Sequence, residues 1–310
     1  MSPIQQSKIV PPALKTGDKI GIISTARKIN LEELMPALSI LKSWGLNPVL
    51  GKHLFEEHHQ FSGTDTQRAS DLQHMIDDPD IKTILCARGG YGTVKIIDKV
   101  DFSKLTKNPK WIAGYSDVTV LHSHLNKLGI ASLHCSMPIN FSTNTEAALK
   151  SLQTALFGKE ITCQIPGHPL NKTGFSKGEI VGGNLSILYS LLGSESDIST
   201  DGKILFLEDL DEYLYHIDRM IMNLKRNGKL SNLAGLIIGG MSDMNDNTIQ
   251  FGKTAEEIIS EAVFEYDYPV CFNFPAGHLI DNQALVLGRE INLTVETSTT
   301  LSYGKTQSIR

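Results

Sequence analysis

The sequence predicts an α/β protein, with an N-terminal doubly wound parallel-sheet domain followed by a second, mixed α/β domain. Three observations carry this reading. Up to residue 128, short apolar runs alternate with segments whose apolar residues recur at helical spacing, as in successive β-α-β units. Several of these runs end in glycine, serine or arginine, where strands of such sheets open onto a ligand-binding edge. Between 138 and 176, Pro138, Pro166, Gly167 and Pro169 break the pattern before a second alternation begins. The expected division is 1–137, a connection at 138–176 carrying one helix near 145–156, and 177–310.

Residues 17–24 read as the first buried strand and 31–44 as a helix closed by Gly45. A short strand follows at 48–50, then a polar loop at 53–66 with Phe55 and Phe61 as its aromatic residues. Ala69, Leu72, Met75 and Ile76 mark a helix that stops at Asp78-Pro79. Strand 81–87 runs into Arg88-Gly89-Gly90-Tyr91-Gly92, and a helix is expected over 93–100. A strand opens at Trp111. The helix after it carries Val118, Leu121, Leu125 and Leu128 on one face and stops at Gly129. The second alternation opens at Gly178. Strands are expected at 203–207, 236–238, 270–273, 284–287 and 291–295, with helices near 185–192, 213–227 and 253–264.

The 310 residues are 41% hydrophobic and 20% charged, the balance of a globular chain. A net charge of −5 gives nucleic-acid binding no electrostatic support. No apolar run is long enough for a membrane span, and Met1 to Lys8 lacks a signal-peptide core. Cys86, Cys135, Cys163 and Cys271 form no C-x-x-C pair. Three of them lie in apolar runs, so a reducing cytoplasm is expected.

Gly114-Tyr115-Ser116-Asp117 lies between a strand and a helix, which suits two readings. Ser116 caps the helix, the commoner role for serine there, or it is a nucleophile on a sharp strand-to-helix turn. Gly89-Gly90-Tyr91-Gly92 has neither dinucleotide nor P-loop spacing. It is a tight turn, or a place where bare N–H groups meet a developing negative charge. His53, His58 and His59 have no suitably spaced carboxylate, His122 and His124 face different ways on one helix, and His134 reads as packing. His278 differs, because Gly277-His278 lies in a turn just after a strand; an exposed loop histidine is the competing reading. Glu208 ends an apolar strand, whereas Asp209, Asp211 and Glu212 read as acids at the start of a helix. Serine needs an imidazole to take its proton, and the imidazole needs a carboxylate to orient it. Ser116, Glu208 and His278 are the candidates for those three parts, expected at an interface between domains.

These same stretches resemble the LD-carboxypeptidase family of serine peptidases, which includes muramoyltetrapeptide carboxypeptidases and microcin C immunity peptidases. They are 86–92, 114–117, Gly182-Gly183-Asn184-Leu185, Leu207-Glu208-Asp209 with Ile217-Asp218-Arg219-Met220, and Gly277-His278. The resemblance spans nearly the whole chain and implies a flavodoxin- or glutamine-amidotransferase-like first domain. It implies Ser116 as nucleophile, His278 as general base, Glu208 as its orienting partner, and an oxyanion hole from the N–H groups of Asp117, Gly89 and Gly90. It further implies no metal or cofactor, a homodimer, and a muropeptide substrate cut at the bond between an L-centre and terminal D-alanine, in cytoplasmic wall recycling. The segment Asp209 to Tyr213 is more acidic than the resemblance leads one to expect and is read as lining the cleft. Two other functions stand beside this one. A hydrolase of peptide–nucleotide conjugates would need a base-stacking aromatic, for which Tyr213, Tyr215 and Phe55 are available; a two-lobed small-ligand-binding protein would need no nucleophile.

Overall fold

A computed structural model describes residues 8–304. The N-terminal stretch read as lacking a signal-peptide core therefore lies, up to residue 7, outside the described residues. The first half runs β1 (Lys19–Ile23), α1 (Leu31–Ser43), β2 (Asn47–Leu50), α2 (Asp65–Asp77), β3 (Ile81–Cys86), β4 (Trp111–Gly114), α3 (Thr119–Lys127), β5 (Ser132–His134) and α4 (Glu146–Leu156). Then come β6 (Thr162–Pro166), β7 (Gly174–Asn184), α5 (Leu185–Leu191), β8 (Ile204–Leu210), α6 (Leu214–Arg226), β9 (Gly235–Ser242) and α7 (Ala255–Val263). The last four strands are β10 (Val270–Cys271), β11 (Leu285–Leu287), β12 (Glu290–Val295) and β13 (Ser298–Tyr303).

The first sheet has the order β11-β5-β4-β3-β1-β2, with β1 to β5 parallel as the alternation predicts. β4 is buried throughout, because helices cover both faces of such a sheet. Capping boxes start α1 (Asn30 with Glu33) and α2 (Thr64 with Gln67), each satisfying N–H groups that a helix start leaves open. The second sheet has the order β10-β9-β8-β7-β12-β13-β6: β7 to β10 are parallel, and β12, β13 and β6 add on antiparallel. Leu133 of the first sheet and Phe206 and Leu293 of the second belong to one continuous buried cluster. Among the described residues no helix is long and apolar enough to cross a membrane.

Four expectations are corrected. Residues 93–100 form two 3-10 turns, Thr93–Lys95 and Ile97–Lys99, instead of a helix. Val94, Ile96, Ile97 and Val100 are β-branched and lose side-chain freedom in a helix, while the Asp117 carboxylate holds the Thr93 N–H. The stretch 138–176 carries α4 as expected but also β6, the outer strand of the second sheet. β13 was not expected at all, its sequence being short and half polar. β11, read as part of the second alternation, pairs antiparallel with β5 and so closes the first sheet. That last crossing decides where the site lies, since the chain passes from one sheet to the other just after His278.

Candidate active site

Ser116 lies directly beyond β4, where the backbone turns sharply. Tyr115 is extended (φ −148°), Ser116 takes φ +63°, and a 3-10 turn over Ser116–Val118 leads into α3. A non-glycine residue in that left-handed region is strained and persists only where its surroundings hold it. Gly114 makes the turn possible: it sits at φ +147°, and a Cβ there would come 2.9 Å from a Val118 methyl. The Ser116 side chain caps nothing, so the capping reading falls. Its Oγ instead lies 3.1 Å from His278 Nε2.

His278 is mounted from the other sheet. Gly277, at φ +107°, lets the backbone pass close over a carboxylate, since a Cβ there would be 2.6 Å from Glu208 Oε2. That oxygen accepts from both the His278 main-chain N–H (3.1 Å) and the ring at Nδ1 (2.7 Å). Asn282 Oδ1 accepts from the Gly277 N–H, and the Ser242 hydroxyl donates to the His278 carbonyl. Glu208 is wholly buried near the carboxyl end of β8, and its Oε1 has no partner among the described residues. The arrangement puts a proton on Nδ1 and leaves Nε2 to accept from the serine hydroxyl. Burial pulls the His278 pKa down, but the Glu208 charge and hydrogen bond, with a smaller contribution from Asp209, more than offset this. The imidazole is held above its ordinary value.

Gly89 and Gly90 meet this pair from the end of β3. A Cβ on Gly89 would lie 3.1 Å from Ser116 Oγ, tighter than an ordinary contact, so the bare backbone of glycine suits the place beside the hydroxyl. Among the described residues the Gly89 and Gly90 N–H groups make no hydrogen bond. Asp117 ties this turn to the elbow: its buried carboxylate accepts from the Thr93 N–H at 2.8 Å, and burial pushes its pKa up. All six residues singled out in the sequence are thus brought together: Gly89, Gly90, Ser116, Asp117 and His278 line one open cleft of about 500 Å³, and Glu208 lies behind His278.

Asp209, Asp211 and Glu212 do not begin α6, whose first turn has no acid. Asp209 belongs to β8 and accepts from Asn184 Nδ2 and the Ser186 N–H, so it anchors the start of α5. Burial, then the neighbouring Glu208 charge, raises its pKa to about 7. Asp211 accepts from Asn245, and Glu212 pairs with His216; all three acids border the cleft. The sequence reading missed Tyr115, whose ring meets His278 edge-on at 4.8 Å, and Arg27, which lines the cleft just after β1. Arg27 carried one usable signal, its place at the carboxyl edge of a parallel strand. Among the described residues no cluster of three or more His, Cys, Asp or Glu side chains is arranged to hold a metal ion.

Residues 20–135 match the LD-carboxypeptidase N-terminal domain, and residues 177–293 match the LD-carboxypeptidase C-terminal domain. The chain is 34% identical over 307 residues to a probable murein peptide carboxypeptidase of Bacillus subtilis, covering 95% of this chain and 94% of that protein. Among solved structures it resembles the muramoyltetrapeptide carboxypeptidase of Oxalobacter formigenes, with a TM-score of 0.84 and 26% identity over 93% of this chain and 99% of that one. The microcin C7 self-immunity protein MccF, solved with aspartyl sulfamoyl adenosine, shares the fold at a TM-score of 0.87 and 21% identity, covering 97% of this chain and 100% of that one.

Proposed function

The chain belongs to the LD-carboxypeptidase family, and from that premise we propose that it is a serine carboxypeptidase releasing terminal D-alanine from murein tetrapeptides. The observation that carries the proposal is the hydrogen-bonded chain Ser116 Oγ–His278 Nε2 and His278 Nδ1–Glu208 Oε2, opening onto a cleft. Ser116 attacks the carbonyl carbon before the D-residue while His278 Nε2 takes its proton. Glu208 keeps the ring in the required tautomer and stabilises the imidazolium that forms. The oxyanion faces the N–H groups of Asp117, Gly89 and Gly90; donors of this kind are each worth about 10²–10³-fold in rate. His278 then passes its proton to the departing D-alanine amine, and water, deprotonated by the same imidazole, hydrolyses the acyl-enzyme. The free cysteines suit a reducing cytoplasm, where muropeptides would be recycled, and a homodimer is the proposed working form.

Incubating the protein with a murein tetrapeptide and weighing the products tests the reaction. Release of one alanine from the carboxyl end is the expected result. An intact tetrapeptide, together with cleavage of a peptide–nucleotide conjugate, would instead favour the chemistry of the immunity peptidases. If both compounds stay intact but bind, the cleft captures ligands without turning them over.

A further inference from the structure

We propose that Arg27 reads the substrate's terminal carboxylate and so makes the enzyme cut at a chain end and not within a chain; the inference rests on the carboxypeptidase reading above. An exopeptidase must recognise a carboxylate at a fixed offset from the bond it cuts. In the substrate that group lies three bonds beyond the scissile carbonyl carbon: to the amide nitrogen, to Cα, to the carboxyl carbon.

The two glycines after β3 mark out a matching offset. Gly89 abuts Ser116 Oγ, while a Cβ on its neighbour Gly90 would lie 2.6 Å from Arg27 Cδ and 3.1 Å from Nε. Glycine at 90, with φ +112°, is what admits the arginine stem. One residue step therefore separates the contact with the nucleophile from the contact with the guanidinium. The Arg27 backbone is held on both sides: its N–H donates to the Gly89 carbonyl and its carbonyl accepts from the Ser24 hydroxyl. The side chain is exposed at the cleft, and its guanidinium has no hydrogen-bond or ion-pair partner among the described residues. Arg88, the other cleft arginine, already has Glu33 at 3.8 Å and donates to the Lys28 carbonyl. Asp209, Asp211 and Glu212, which line the same cleft, are already engaged by Asn184 and Ser186, by Asn245 and by His216 respectively. A free, forked guanidinium on the cleft fixes the polarity in which a peptide enters, since Arg pairs with carboxylates through two parallel hydrogen bonds.

The test compares a murein tetrapeptide carrying a free terminal carboxylate with the same peptide as its carboxamide, using wild type, Arg27→Gln and Arg27→Lys. Wild type should prefer the acid strongly. Arg27→Gln should raise KM for the acid about ten- to a hundredfold with a smaller change in kcat, leave the amide unaffected, and so erase the preference. Arg27→Lys should restore part of it. Affinity of the acid for Ser116→Ala, measured with and without Arg27→Gln, gives the same comparison without turnover. An Arg27→Gln enzyme that keeps both its KM and its preference for the acid overturns the inference and leaves the peptidase reading standing. A wild type that cleaves neither peptide overturns both.

Discussion

Two histidines lie beside the ring of Tyr115, and their chemistry is opposite. His278 meets it at 4.8 Å and His134 at 5.9 Å, both edge-on. Burial disfavours the charged form of each. The rings of Phe206, Tyr115 and His122 lie against His134, and its pKa falls well below the ordinary value, first through desolvation and then through repulsion from His122 and His278. His278 differs in having Glu208, itself buried and bonded to both its ring and its backbone, and it moves the other way. One carboxylate reverses the shift, leaving a half-buried imidazole with a raised pKa beside a hydroxyl. A histidine's role here is set by its partner and not by its depth.

The comparison breaks most completely when the hydroxyl is taken away. Ser116→Ala should fold, because alanine suffers no more than serine at φ +63°, and should lower kcat by roughly 10⁴–10⁶-fold. D-Alanine release measured beside a thermal melt checks both halves, and retained turnover would remove Ser116 from the mechanism. Next in size is Glu208→Gln, which makes the His278 environment resemble that of His134. A loss of about 10³–10⁴-fold in kcat is expected, from the lost orienting charge. The pH profile sharpens this. The base works only when neutral, so wild-type kcat/KM should climb through a pKa above 6.5. Without the Glu208 charge, desolvation dominates and the acid limb should move to lower pH. A limb that stays in place would mean that Glu208 does not set the His278 pKa.

How much of this was legible beforehand depends on how local each cause is. The parallel alternation from β1 to α3 could be read because buried strands and amphipathic helices differ in period. Ser116 and His278 could be picked out because glycines at 114 and 277 mark tight turns beside them. The fate of 93–100 could not, since the N–H of Thr93 is taken by a carboxylate 24 residues away. β6 and β13 alternate between partly exposed and more buried positions at one side of the second sheet, and such half-polar runs read like loops. The sheet that β11 joins depends on a crossing that no local pattern encodes. Asp209 was misread for a similar reason: it lies next to α6 in sequence, yet its partners start α5, some 23–25 residues earlier.

Asp209 offers a smaller perturbation of the same carboxylate pair. Its folded-state pKa of about 7 stands above the unfolded value of 3.8. For an acid with a raised pKa the folded state holds the proton more tightly, so the stabilisation is full below about pH 4 and is lost as pH rises through 7. Wild type should therefore lose stability across this window, and Asp209→Asn should lose less, by on the order of 1–3 kcal/mol between pH 5 and pH 8. Asparagine also weakens the anchor of α5, but that offset is the same at every pH, so the slope is the readout. Urea midpoints that run parallel for the two proteins would show that Asp209 does not titrate in this range.

The smallest effect is expected at His134, and it tests the opening contrast from the other side. Both of its ring nitrogens are buried without a partner among the described residues. Such groups cost stability, and replacing them with apolar atoms of similar volume is often neutral or favourable. His134→Leu should thus leave the melting behaviour unchanged or raise stability by up to about 1 kcal/mol. Its kcat/KM should stay within about threefold of wild type, because Tyr115 is also held by its hydrogen bond to Asn140 at 3.1 Å and does not depend on His134 for its position. His134 is held well below its ordinary pKa and so is neutral where His278 titrates, and it is not among the groups that shift His278, so the acid limb of the pH profile should stay in place. A loss of activity approaching that of Glu208→Gln would mean the two imidazoles are coupled by more than packing, and the division of labour between them would have to be redrawn.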